Sequence, residues 1–233
     1  MEYIKALIKF SEKESYQKDL IDGKLYFNNI EHIRSNGNDP FDAYASRIKT
    51  DYGNIMLLTR PDSLKPVTCF YAVTDDSPTN NANIKIKKDE YDKLCNDLGR
   101  CVTIIKDVPK FINLVKENSF AIFYGCCDYS GADIPITPIF NKRNNFSIEH
   151  EFRILLDDVI LNSENEKLVA DYYNDFFVTN KHFILNMPSL ENITETCDIS
   201  EVLAGKSIEV SFDKEKNKKE ALSNVGTYLS RYE

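Results

Sequence analysis

Short apolar runs separated by polar breakers make up most of this chain, and they predict strands more often than helices. Residues 3–10, YIKALIKF, are rich in apolar and β-prone side chains and predict a first strand. A polar stretch from about Glu12 to Asp22 predicts a helix, with Gly23 placed as its stop. KLYFNN is a short strand, and IEHIRSNGNDPF then turns through an Asn, Gly and Pro cluster where Asn38 and Asp39 can bond their own backbone. NIMLL and VTCFYAV predict further strands, and DDSPTNNAN, the most polar loop of the chain, follows. KKDEYDKLCNDLG predicts a helix stopped by Gly99, and RCVTIIK a strand. In DVPKFINLVKEN, Asp107 is suited to an N-cap and Pro109 to the first turn of a helix.

SFAIFYGCCDY is another apolar strand, while ADIPITPIF carries Pro135 and Pro138 and predicts an edge or an extended connection. Leu168, Tyr172 and Phe176 recur at helical spacing, HFILN and KSIEVSF look like strands, and KEALSNVGTYLSRY predicts a final amphipathic helix. The succession predicts an α+β fold: a mixed, mostly antiparallel sheet with peripheral helices, in a single domain of 233 residues.

The stretch NNFSIEHEFRILLDD, residues 144–158, changes that plain picture. As a strand it places Phe146, Ile148, Phe152 and Ile154 on one face and Ser147, Glu149, Glu151 and Arg153 on the other. Ile148, Phe152 and Leu155 also fit a helix, in which Glu149 and Arg153 form an i,i+4 pair. The longer alternation favours the strand. Two acids and a guanidinium on an exposed face would contribute little; lining a cleft, the acids could anchor a ribose hydroxyl, stabilise a developing cation or activate a nucleophile.

Charge and cysteine use narrow the setting. A net charge of -8 argues against broad contact with nucleic acid, and a protein partner with a basic surface is the complementary expectation. The N-terminal stretch lacks the features of a secretory signal, and no apolar run is long enough to cross a bilayer, so a cytoplasmic protein without membrane contact is expected. The six cysteines show no CxxC pair and read as reduced and mostly buried, and the three histidines, His32, His150 and His182, make a His-rich metal site improbable. Asp39 and Asp42 in NDPF could meet a cation, though this composition builds turns far more often; no metal is expected.

The order of KLYFNN, NDPF, VTCF, FYGCCDY and NKRNNFSIEHEFRIL resembles a family of uncharacterised bacterial and phage proteins with the pattern lYf, NDPfE, cFS, Y and K…E-x-E-x-R. Here the pattern is carried by Leu25, Tyr26, Phe27, Asn38, Asp39, Pro40, Phe41, Cys69, Phe70, Tyr124, Lys142, Glu149, Glu151 and Arg153. The likeness covers residues 24–154 and leaves 155–233 as a C-terminal extension. The E-x-E element is in turn similar to that of mono-ADP-ribosyltransferases, and that resemblance implies NAD as substrate. It implies Glu151 on the nicotinamide ribose, Glu149 at the acceptor, Lys142 or Arg143 on the pyrophosphate, and Arg153 and Asp39 at the site or its edge. No Ser-Thr-Ser element precedes the acids, and YIKALIKF offers Lys5 and Lys9 where that family has Arg or His. Two readings stay open: an ADP-ribosyltransferase-like or nucleotide-processing enzyme of bacterium-phage conflict, or a non-catalytic module that binds a basic partner, such as an inhibitor of a host defence system, or forms a homo-oligomer.

Overall fold

In the computed structural model the apolar runs become a predominantly antiparallel sheet. The structure describes residues 2–29, 47–50, 53–56, 66–94, 99–119, 121–129, 138–140, 142, 144–157 and 183–226. In chain order the elements begin with β1 (Tyr3–Ser11), α1 (Glu14–Ile21), β2 (Lys24–Asn29), β3 (Arg47–Thr50), β4 (Gly53–Met56), β5 (Pro66–Asp75) and β6 (Asn81–Ile84). There follow α2 (Lys88–Leu94), β7 (Cys101–Ile105), α3 (Val108–Glu117), β8 (Ile122–Cys126) and β9 (Glu151–Leu156). The last are β10 (Phe183–Asn186), β11 (Thr194–Asp198), α4 (Ile199–Ala204) and β12 (Lys206–Glu209). The class is α+β, as the pattern predicts, and every pairing among the described strands is antiparallel.

Eight strands form the main sheet, in the order β10-β2-β5-β1-β7-β11 with β9 and β8 attached through β5. The ten-residue β5 organises it. Val67 pairs with both Leu155 of β9 and Asn28 of β2, and Tyr71 pairs with both Glu151 of β9 and Ile8 of β1. A residue has two edges, so β9 occupies one edge of β5 while β2 and β1 share the other. The sheet therefore forks on that second edge.

Strand parity divides the core. Phe70, Ala72, Phe152, Ile154 and Tyr124 point to one side, where the apolar stripe of α3, Val108, Phe111, Ile112 and Val115, packs on them. Each fully buried side chain of this size stabilises by roughly 1.5–3 kcal/mol. Asp107 caps α3 by accepting from the Lys110 amide at 3.1 Å, with Pro109 in the first turn, as the sequence predicts. On the opposite side Ala6, Ile8, Val102 and Ile104 meet the β6–β12 pair and α4, and Val67, Phe123 and Leu155 meet Ile139 and Phe140.

Gly23 ends α1 with φ +89°, and a Cβ there would run into the Met187 carbonyl. The polar loop DDSPTNNAN is in part a strand: β6 starts at Asn81, with Ala82 and Ile84 turned inward. Part of the expected final helix is not helical, since Lys219–Asn224 form turns and side-chain bonds that close other elements. Asn217, fully buried, donates to and accepts from the backbone around Ile4, and Lys218 bridges Tyr3. Asn224 accepts from the Tyr124 amide at 2.8 Å and donates to the Ile122 carbonyl at 2.9 Å, so it covers the outer edge of β8. Val225 and Gly226 are helical; the remainder of that helix, residues 227–232, and the Tyr172–Phe177 stripe lie outside the described residues.

Candidate functional site

The 144–158 stretch is not one strand. Asn144–Glu149 wind into a 3-10 turn, His150 takes φ +41°, and extended structure starts only at Glu151. The turn is locked at its end: the His150 amide donates to the Ser147 carbonyl at 3.2 Å, and the His150 carbonyl accepts from the Ala72 amide at 2.8 Å. Alternation in sequence is preserved across this corner, but the common face is not. Glu149 belongs to the turn and Glu151 to the strand.

Inside β9, parity does hold. Glu151 and Arg153 point to the same side and pair twice, Arg153 Nε donating to Oε1 and Nη2 to Oε2, both at 2.9 Å. Gly125 stands opposite Arg153 on β8, and a Cβ there would lie 2.6 Å from Ser223 Oγ, so this position admits the segment at Ser223 and Val225 against the strand. Arg153 Nη1 also donates to the carbonyl of Ile139, in the turn Pro138–Phe140 that roofs this face. The guanidinium is 0% exposed and Glu151 only 7%.

Lys142 closes the cluster. Backbone bonds from Asp128 to Phe140 and from Lys142 to Asp128, at 2.7 and 2.9 Å, carry it to the side of Cys127 and Glu151. Its Nζ lies 2.7 Å from Glu151 Oε2 and also bonds Glu149 Oε2. Lys142 thus joins the two acids that the 3-10 corner separates, and the four side chains cancel in charge. Tyr129 accepts from the Glu151 amide at 2.9 Å, the Cys127 amide donates to the Glu151 carbonyl at 2.8 Å, and Cys127 Sγ lies 3.8 Å from Oε2.

The two acids are pushed in opposite directions. Burial raises the Glu151 carboxyl, but Arg153 and then Lys142 outweigh it and hold the group well below the usual carboxylate range. Burial raises Glu149, Lys142 offsets part of that and the Glu151 charge adds to it, so Glu149 ends above its ordinary value. Its side chain keeps 26% exposure, which leaves it reachable from solvent. Desolvation also pushes the thiol of Cys69, which stands opposite Arg153 on β5, up to about 12, and Cys127 well above the ordinary thiol.

The structure brings Lys142, Glu149, Glu151 and Arg153 together, while Asp39, Arg143 and His32 lie outside the described residues. Tyr124 and Phe70, which belong to the quoted pattern, serve the α3 core instead. Tyr129, Cys127, Gly125 and Ile139 were not legible as site residues, because their roles come from pairing registers that no local spacing records. Among the described residues no group of three or more His, Cys, Asp or Glu side chains could hold a metal, and no helix is long and apolar enough to cross a membrane. Compared with protein-family models, with curated proteins and with solved structures, the chain matches none.

Proposed function

We propose that this chain is an ADP-ribosyltransferase-like protein acting on the N-glycosidic bond of NAD or a related nucleotide, in the cytoplasm and in the setting of bacterium-phage conflict. One observation carries the reading: two carboxylates share Lys142 and are displaced in opposite directions, which is how acid-base roles are divided between like groups. Cleavage of that bond develops a cationic sugar as nicotinamide leaves. Glu151, ionised throughout the physiological range, supplies fixed negative charge. Glu149, solvent-reachable and raised, takes the acceptor's proton as the acceptor attacks the sugar carbon. Arg153 is a positioning residue that fixes the Glu151 rotamer. The order of motifs, which resembles that of a bacterial and phage family, supports the biological setting.

Calorimetry with NAD and ADP-ribose, together with release of nicotinamide, tests this. Wild type should bind and turn over; Glu149→Gln should stay folded and keep its affinity but lose roughly 100-fold or more in rate. Absence of binding, or an undiminished Glu149→Gln, would remove the proposal.

A second reading is favoured by the saturation of Glu151, whose two oxygens are both occupied by cations. In it the cluster is a structural brace in a non-catalytic module, and the excess of 37 acidic over 29 basic residues steers the protein to a basic partner. A stable complex with a defined basic protein, combined with a null calorimetric result, selects that reading.

A further inference from the structure

The fork in the sheet carries a feature that the acid cluster does not use. On the shared edge of β5, β2 reaches only Val67 and β1 begins at Tyr71. Beyond Ile8, β1 leaves β5 and continues along β7 alone, with Lys9 opposite Thr103 and Ser11 opposite Cys101. A wedge opens between the end of β1 and β2, and in it lies a cavity of about 300 Å³ lined by Lys9, Phe10, Leu20, Leu25 and Tyr26, with Tyr16 of α1 at its wall. None of Lys142, Glu149, Glu151 and Arg153 lines it.

Lys9 stands where the missing strand would be. Its ammonium donates to Thr68 Oγ1 at 3.0 Å and to the Cys69 carbonyl at 2.8 Å, and lies 5.0 Å from the centre of the Phe70 ring. An ammonium carries three N–H donors, so two acceptors leave one donor over. Among the described residues no carboxylate comes within ion-pair distance of it. A half-buried cation with no carboxylate at contact distance is favourable ground for an anion; burial pulls its pKa down, and the Cys69 and more distant Glu151 groups push against that.

The other charges around the cavity limit which anion fits. Lys24 is held by Asp19 at 3.0 Å, and Asp19 also accepts from the Tyr26 hydroxyl at 3.0 Å, which fixes that ring at the wall. Glu12 contributes a carboxylate to the lining and opposes a multiply charged ligand. Phe10, Leu20, Leu25 and the tyrosine rings offer apolar, largely flat surface. We propose that the fork cavity binds a small monoanion, a carboxylate on a flat apolar body, with its charge on Lys9 and its body between β2 and α1. The inference does not rest on the NAD reading, since the two sites share no residue.

The test is titration of the full chain with benzoate, with benzamide as neutral isostere and with inorganic phosphate, followed by amide chemical shifts. Benzoate should shift the amides of Phe10, Ser11, Leu25 and Tyr26, benzamide should bind roughly tenfold or more weakly, and phosphate should not compete. Lys9→Met should erase the preference for benzoate over benzamide, and Tyr16→Ala, at a site 45% exposed, should weaken both without unfolding the protein. Glu149→Gln should leave benzoate binding unchanged. If Lys9→Met does not fold, the wild-type preference and the location of the shifts decide. Equal binding of benzoate and benzamide, preference for phosphate, shifts centred on 149–153, or no binding at millimolar concentration would overturn the proposal.

Discussion

Replacing Glu151 by Leu removes the acceptor of two 2.9 Å bonds and leaves Arg153, 0% exposed, with a charge it cannot shed. Breaking a buried ion pair from one side costs about 3–5 kcal/mol. The converse change, Arg153→Met, is milder. Glu151 keeps Lys142 at 2.7 Å and can also take up a proton, so the loss is that of charge-assisted hydrogen bonds, about 2–3 kcal/mol. Removing both groups removes the desolvation of both, and Glu151→Leu with Arg153→Met should return to within about 1–2 kcal/mol of wild type. Urea unfolding followed by circular dichroism reads all three, and Glu151→Leu should lower Tm by on the order of 10 °C in a chain of this size. Single variants that each cost under about 1 kcal/mol, or costs that simply add in the double variant, would refute the cluster as a coupled buried pair.

The acids also set opposite pH dependences. Glu151, lowered in the folded state, contributes stability that is present above the ordinary glutamate range and is lost as pH falls through its depressed value. Glu149, raised, stabilises below that range, and its contribution is lost as pH climbs through its folded value. The Tm of Glu149→Gln relative to wild type should therefore rise between acid and neutral pH; a constant difference argues against the shift. Gly23→Ala forces a side chain into φ +89° against the Met187 carbonyl and should cost about 1–3 kcal/mol by urea unfolding, whereas Gly226→Ala, with open space around it, should be near neutral. Asn224→Ala removes both side-chain bonds to the β8 backbone and should cost about 1–3 kcal/mol, with faster hydrogen exchange at Tyr124 than at Val102; uniform protection would contradict the role given to Asn224.

Where sequence and structure agree, the reason is local chemistry. YIKALIKF and VTCFYAV need only their own β-prone side chains to declare a strand, and Asp107 with Pro109 declares a helix start from four residues. The disagreements arise where a decision is made elsewhere in the chain. NANI looks like loop because only Ala82 and Ile84 point inward, and β6 exists because β12 supplies the other half of the ladder. SIEHE alternates as a strand does, yet His150 at φ +41° turns the corner between its two acids, a conformation that composition does not announce for histidine. That Glu149 and Glu151 nonetheless meet depends on Lys142, brought by a backbone bridge to Asp128. The fork beside Lys9 follows from three registers on β5 and has no one-dimensional signature.

The bonds that tie residues 213–224 to Ile4 and to the margin of β8 have a biosynthetic consequence. A ribosome releases β1 and β8 long before Asn217 and Asn224 leave the exit tunnel. Until then one partner position beside each of those strands stays vacant, and the nascent sheet carries an unguarded flank that a neighbouring polypeptide could occupy. Completion of the native arrangement thus waits on residues about a hundred or more positions downstream of the strands they close, and shielding of that flank in the interval is a demand the molecule places on the cell.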